Sequence, residues 1–97
     1  MHLSVTRTVT DTYRVEVSGW DSSQAFFIEK SELEWNEESG KHVRLSHALR
    51  KKAIIFVRLL QTTATDCSSP VAYWAEYITI TPEGFHQFRL KQVHPGR

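Results

Sequence analysis

The amino-acid sequence predicts a mostly-β fold: a small antiparallel six-stranded barrel with at most one short helical turn. Apolar and polar residues alternate with a period of two in several short runs, as half-buried strands require. Turn-forming residues separate those runs at short intervals. No segment carries the long apolar stripe of an amphipathic helix, and strands joined by short links suit a small barrel or sandwich.

The first strand is Tyr13-Arg14-Val15-Glu16-Val17-Ser18, with Tyr13, Val15 and Val17 expected inward and Arg14 and Glu16 outward. Gly19 to Gln24 reads as a turn, because Asp21 and the serines can hydrogen-bond their own backbone. A second strand runs from Phe26 to Trp35. Leu33 and Trp35 fall out of phase with Phe26 and Ile28, so a bulge is expected near Lys30-Ser31. Asn36 to Lys41 reads as a hairpin turn in which Gly40 can take a positive φ. Val43 and Leu45 alternate in a short third strand, and Ser46 to Arg50 reads as one helical turn capped by Ser46. Ile54 to Leu60 is apolar on both faces apart from Arg58, the pattern of a strand covered on both sides. Gln61 to Pro70 is a polar surface loop. Val71 to Thr81 is a long strand, with Tyr73, Ala75 and Tyr77 on one face and Trp74, Ile78 and Ile80 on the other. Thr81-Pro82-Glu83-Gly84 is a tight turn, and Phe85 to Val93 the last strand. Residues 1–97 are thus expected to form one domain with its core within about 13–93 and a tail at 94–97.

A chain of 97 residues can bury one modest core and fold without metal or disulfide. The net charge of +1 creates no global field toward nucleic acid or an anionic membrane, so such binding would need a local patch. The single cysteine, Cys67, excludes an intramolecular disulfide and a zinc-ribbon site. The longest apolar run, Ala53 to Val57, is far short of the roughly 20 residues a membrane helix needs. The first residues carry no apolar run or cleavage pattern of a signal peptide. No membrane association and a cytoplasmic location are therefore expected.

Catalytic signals are nearly absent, and the chain is not expected to be an enzyme. The five histidines show no metal-ligand spacing, and Cys67 has no adjacent base to lower its pKa. With four glycines there is no phosphate loop or dinucleotide fingerprint, so no cofactor and no metal are expected. Glu29, Glu32, Glu34, Glu37 and Glu38 read as a solvated strand face and turn, with Glu29 opposite to Glu32 and Glu34. Arg50, Lys51 and Lys52 form the one dense basic cluster, able to meet phosphate or a partner's acids. Of the three tryptophans, Trp35 suits the core, whereas Trp20 stands beside Asp21, where turn chemistry does not ask for an indole. Two roles are open to Trp20: it plugs the open end of the barrel, or it is an exposed interface anchor. The candidate binding residues are Trp20, Asp21, Arg50, Lys51 and Lys52.

The order of elements is informative beyond its class. Val15 to Asp21, the strand from Phe26 to Trp35, Asn36 to Gly40, Val43 to Leu45, Leu49 and the strand from Ile54 to Leu60 resemble PilZ domains, over roughly residues 13 to 93. The resemblance implies a small six-stranded, split-barrel-like fold of a kind that often binds cyclic di-GMP. Two motifs of that family hold the dinucleotide. Its arginine pair before the first strand is not matched by Arg7 and Arg14, which are too far apart. Asn36, Ser39 and Gly40 echo the second motif with altered spacing. These departures speak against dinucleotide binding and imply action through a protein partner. Single-stranded nucleic acid, on the basic cluster and exposed aromatics, is the alternative.

Overall fold

A computed structural model describes residues 10–60 and 69–93. Its strands are β1 (Asp11–Trp20), β2 (Phe26–Asn36), β3 (Gly40–Leu45), β4 (Ala53–Leu59), β5 (Val71–Ile80) and β6 (His86–Gln92). They close into an antiparallel barrel in the order β1-β2-β3-β6-β5-β4, with β4 pairing back onto β1. No helix is present among the described residues.

The core follows from alternation. Val15 and Val17, Phe27 and Leu33, Val43 and Leu45, Ile55 and Val57, Tyr73 and Ala75, and Phe88 and Leu90 are buried together, two side chains from each strand. In five strands the two are separated by one outward residue, the two-residue period of a pleated strand.

β2 departs from that spacing, and its phase differs from the sequence reading. The β1–β2 register runs unbroken from Asp11–Trp35 to Trp20–Phe26, so there is no bulge at Lys30-Ser31. Phe27, not Phe26 or Ile28, shares the inward face with Leu33. The inward positions between them are Glu29 and Ser31, which lie where β2 has parted from β3, since that pairing spans only Leu33–Val43 to Asn36–Gly40. Ser31 Oγ donates to the Arg44 carbonyl (2.6 Å). Glu29 accepts from the Ser46 N–H and hydroxyl (3.0 and 3.1 Å) and lies 2.9 Å from His47 Nδ1. Polar side chains thus close a seam that backbone pairing leaves open. Trp35, at the far end of β2, is only half-buried.

The irregularity lies in β5 instead, where the β5–β6 register shifts between Tyr77 and Thr79. Tyr77 is accordingly exposed rather than buried with Tyr73 and Ala75. Tyr13 is also outside the buried core at 39% exposure, although it lies on the inward phase of β1. The outer face of β4 is open as well: Ile54 and Phe56 are exposed, so this strand is covered on one side among the described residues. Ser46 to Arg50 forms no helical turn; the Ser46 N–H and hydroxyl go to Glu29, and the segment runs across as a crossover that lays Leu49 against the core.

Three hairpin turns are built as their residues suggest. Asn36 Oδ1 accepts from the Ser39 N–H (2.7 Å), with Gly40 at φ +80°. In the β5–β6 turn the Gly84 N–H donates to the Thr81 carbonyl (2.9 Å), and Gly84 has φ +96°. The β1–β2 turn repeats this pattern: the Gln24 N–H donates to the Asp21 carbonyl (2.8 Å) at φ +68°. Residues 61–68, which include most of the polar loop and Cys67, and the tail at 94–97 lie outside the described residues.

Candidate functional site

The β1–β2 turn and the β3–β4 crossover are distant in sequence and meet at one end of the barrel. The Ser22 N–H donates to the Ala48 carbonyl (2.7 Å), and Arg50 Nε donates to the Ser22 carbonyl (3.4 Å). With the Gln24 amide oriented as its partners require, Gln24 Oε1 accepts from Arg50 Nη2 and Nη1 (2.7 and 3.0 Å). These bonds bring all five sequence-predicted residues, Trp20, Asp21, Arg50, Lys51 and Lys52, onto one open cleft of about 470 Å³.

Each has a distinct setting. Trp20 is the last residue of β1 rather than part of a turn, and it points outward at 54% exposure. Its ring meets Phe26 edge-on, with centroids 5.1 Å apart. At that exposure Trp20 does not plug the barrel; Leu49 of the crossover packs against the core instead. The Asp21 carboxylate is occupied by the turn: Oδ1 accepts from the Ala25 N–H (2.9 Å), the Ser23 hydroxyl (2.8 Å) and the Ser23 N–H (2.9 Å). The Ala25 and Ser23 hydrogen bonds hold its pKa below the ordinary 3.8. Arg50 is fixed by Ser22 and Gln24, while Lys51 and Lys52 are exposed, with no acidic side chain in ion-pair contact among the described residues. Lys52 holds φ +60°, so both non-glycine residues with positive φ among the described residues, Gln24 and Lys52, line this cleft. Such conformations cost on the order of 1–3 kcal/mol each and gather at functional sites.

The cleft opens onto an apolar outer face that the sequence reading missed. Trp20 pairs with Phe26, and Ser18 lies between Ile28 on one side and Phe56 on the other. Ile54 pairs with Trp74. Phe26, Ile28, Trp20, Phe56, Ile54 and Trp74 are all exposed, so large apolar side chains cover the outside of four adjacent strands. One boundary is the basic crossover. Another is the Glu16–Arg58 ion pair (2.9 Å), neutral as a unit. The alternation of β4 contained the signal, since Ile54 and Phe56 are out of phase with Ile55 and Val57.

The Glu29, Ser46 and His47 cluster is the nearest approach to a catalytic arrangement, and its geometry is wrong for one. Ser46 Oγ and Glu29 Oε1 both address His47 Nδ1, at 3.4 and 2.9 Å. A triad places nucleophile and acid on opposite ring nitrogens. Here the imidazole stacks on Phe27, with centroids 4.3 Å apart, and the three groups pin the crossover. No group of three His, Cys, Asp or Glu residues that could hold a metal occurs among the described residues. No helix among them is long and apolar enough to cross a membrane. Comparison with known protein families, curated proteins and solved structures finds no match to this chain.

Proposed function

We propose that the protein is a non-catalytic binding and regulatory module that works through a protein partner docked on the Trp20 face. One observation carries this reading: an apolar surface spanning four strands, exposed and bordered by the fixed Arg50 and the open Lys51 and Lys52. Contiguous exposed apolar surface with a polar rim marks an interaction site. Tryptophan gives large contact area for little lost side-chain entropy. The PilZ-like reading of the barrel points the same way, because Asn36 and Ser39 bond to each other within their turn. We place the protein in the cytoplasm.

A second reading, single-stranded nucleic acid, has its own support: the open Lys51 and Lys52 stand near Trp20 and Trp74, which could stack bases. Affinity capture from the native host, with wild type and Trp20→Ala compared across salt concentrations, separates the two. A protein retained at high salt and lost with Trp20→Ala supports the proposal. Retention of nucleic acid, falling steeply with salt, replaces it.

A further inference from the structure

Lys52 lines not only the Trp20 cleft but also a neighbouring hollow of about 400 Å³ formed with Trp74, Glu76 and Lys91. The two adjoin at Lys52, and the face has a second half beyond the residues the sequence singles out. From Phe26 through Trp20 and Ile54 to Trp74 it crosses four neighbouring strands. That is three inter-strand spacings, about 14 Å. An extended chain covers this span with about four or five residues.

The charges on this face do not cancel. Asp21 keeps its charge, since Oδ1 is bonded only to neutral donors of its turn, but it is one carboxylate against three cations, and Glu76 is paired with Lys91 (Oε2 to Nζ 3.7 Å). Arg50 is held by a carbonyl and an amide, which orient its guanidinium without neutralising it. Lys51 and Lys52 add two more cations without an acidic partner among the described residues. The surplus is positive and sits along one border of an apolar floor. A nucleic-acid strand would instead need cations tracking its phosphates along the whole path.

We infer that this face takes a short acidic segment of a partner protein, with large apolar side chains on the Trp20, Phe56 and Trp74 floor and carboxylates toward Arg50, Lys51 and Lys52. The inference rests on the protein-partner reading above and adds the chemistry of what is bound. Arg50, already held by Ser22 and Gln24, fixes one point of the basic border before the segment arrives, which lowers the ordering cost of binding.

The test uses the full chain and three fluorescein-labelled probes. One is a ten-residue peptide with tryptophan and leucine interleaved with glutamate. The second has lysine in place of each glutamate, and the third is a ten-nucleotide oligo-dT. In fluorescence anisotropy at low salt the acidic peptide binds at least tenfold tighter than its basic counterpart. Lys51→Glu with Lys52→Glu, both at exposed positions, abolishes that preference while circular dichroism stays unchanged. Trp74→Ala weakens the acidic peptide about tenfold. Equal binding of the two peptides, or binding of neither, overturns the inference; Trp20-dependent capture of a partner then leaves the protein-partner reading standing. Oligo-dT binding that falls steeply with salt and is lost in the double-lysine variant overturns both.

Discussion

At Gly19 and Trp20, adjacent residues meet opposite environments because one step along a strand reverses the side chain. Gly19 is buried, and a Cβ there would lie 3.3 Å from Ile55 Cγ2 and 3.4 Å from the Ile54 carbonyl oxygen. Trp20 stands outside, supported chiefly by its edge contact with Phe26. Such an aromatic pair is worth about 0.5–1.5 kcal/mol beyond its area, so Trp20→Ala is expected to cost about 1–2 kcal/mol in urea unfolding. Phe88→Ala, which empties a position only 2% exposed, is expected to cost about 3–5 kcal/mol. A Trp20→Ala loss equal to that of Phe88→Ala would return Trp20 to the role of a plug. Asp21 gives a pH signature. Its folded-state pKa is depressed by the Ala25 and Ser23 hydrogen bonds, so its contribution to stability is fully present above 3.8 and is lost as pH falls below that value. Asp21→Asn is thus expected to melt below wild type at neutral pH, and the gap should close as both are acidified below 3.8. A gap independent of pH would show that charge at Asp21 is irrelevant to the turn.

The β1–β2 and β5–β6 turns offer a comparison within one molecule. Both require a positive φ at the fourth position, filled by Gly84 in one and by Gln24 in the other. Glycine adopts this conformation without steric cost, while another L-residue loses about 1–2 kcal/mol. Gln24 recovers part of that by accepting from Arg50; Lys52, also at positive φ, makes no side-chain hydrogen bond or ion pair among the described residues to offset it. Lys52→Gly is expected to raise stability by about 0.5–1 kcal/mol, the steric relief less glycine's larger entropy loss, while weakening whatever binds the cleft. Unchanged or lower stability in chemical denaturation would mean that the backbone at Lys52 is unstrained. The elements were legible in the sequence wherever local chemistry determines them: the alternation of β1 and β3, and the turns at Gly40 and Gly84. The misreadings occur where the decisive partner is distant. Ser46 looks like a helix cap because nothing near it in sequence shows that Glu29, 17 residues earlier, takes its N–H. β2 looks as if it needs a bulge because Glu29 and Ser31 occupy inward positions that only the parting of β2 from β3 makes tolerable for polar groups.

At the scale of the whole molecule, barrel closure decides which readable features become neighbours. Trp20 and the Arg50 cluster are each visible in the sequence, but their adjacency depends on a crossover passing the β1–β2 turn, fixed by the Ser22 to Ala48 hydrogen bond. Trp74 and Phe56 join them only because β5 and β4 follow β1 around the barrel. The same assembly bears on the dinucleotide that the PilZ resemblance suggests. Phosphates of that ligand call for paired guanidinium groups in bidentate contact, which lysines replace poorly. Arg14 lies in β1 opposite Glu32, well away from the cleft residues, and Arg50 is already engaged with Ser22 and Gln24. Arg58 is paired with Glu16, and Arg7 lies outside the described residues. Binding cyclic di-GMP would therefore require Arg50 to give up the contacts that hold the crossover to the turn, with no second arginine beside it in the cleft. Titration calorimetry at about 100 μM protein is expected to show no binding of cyclic di-GMP. A dissociation constant of a few micromolar, abolished by Arg50→Ala or Arg14→Ala with the barrel intact by circular dichroism, would reverse this and make the dinucleotide the ligand of the barrel.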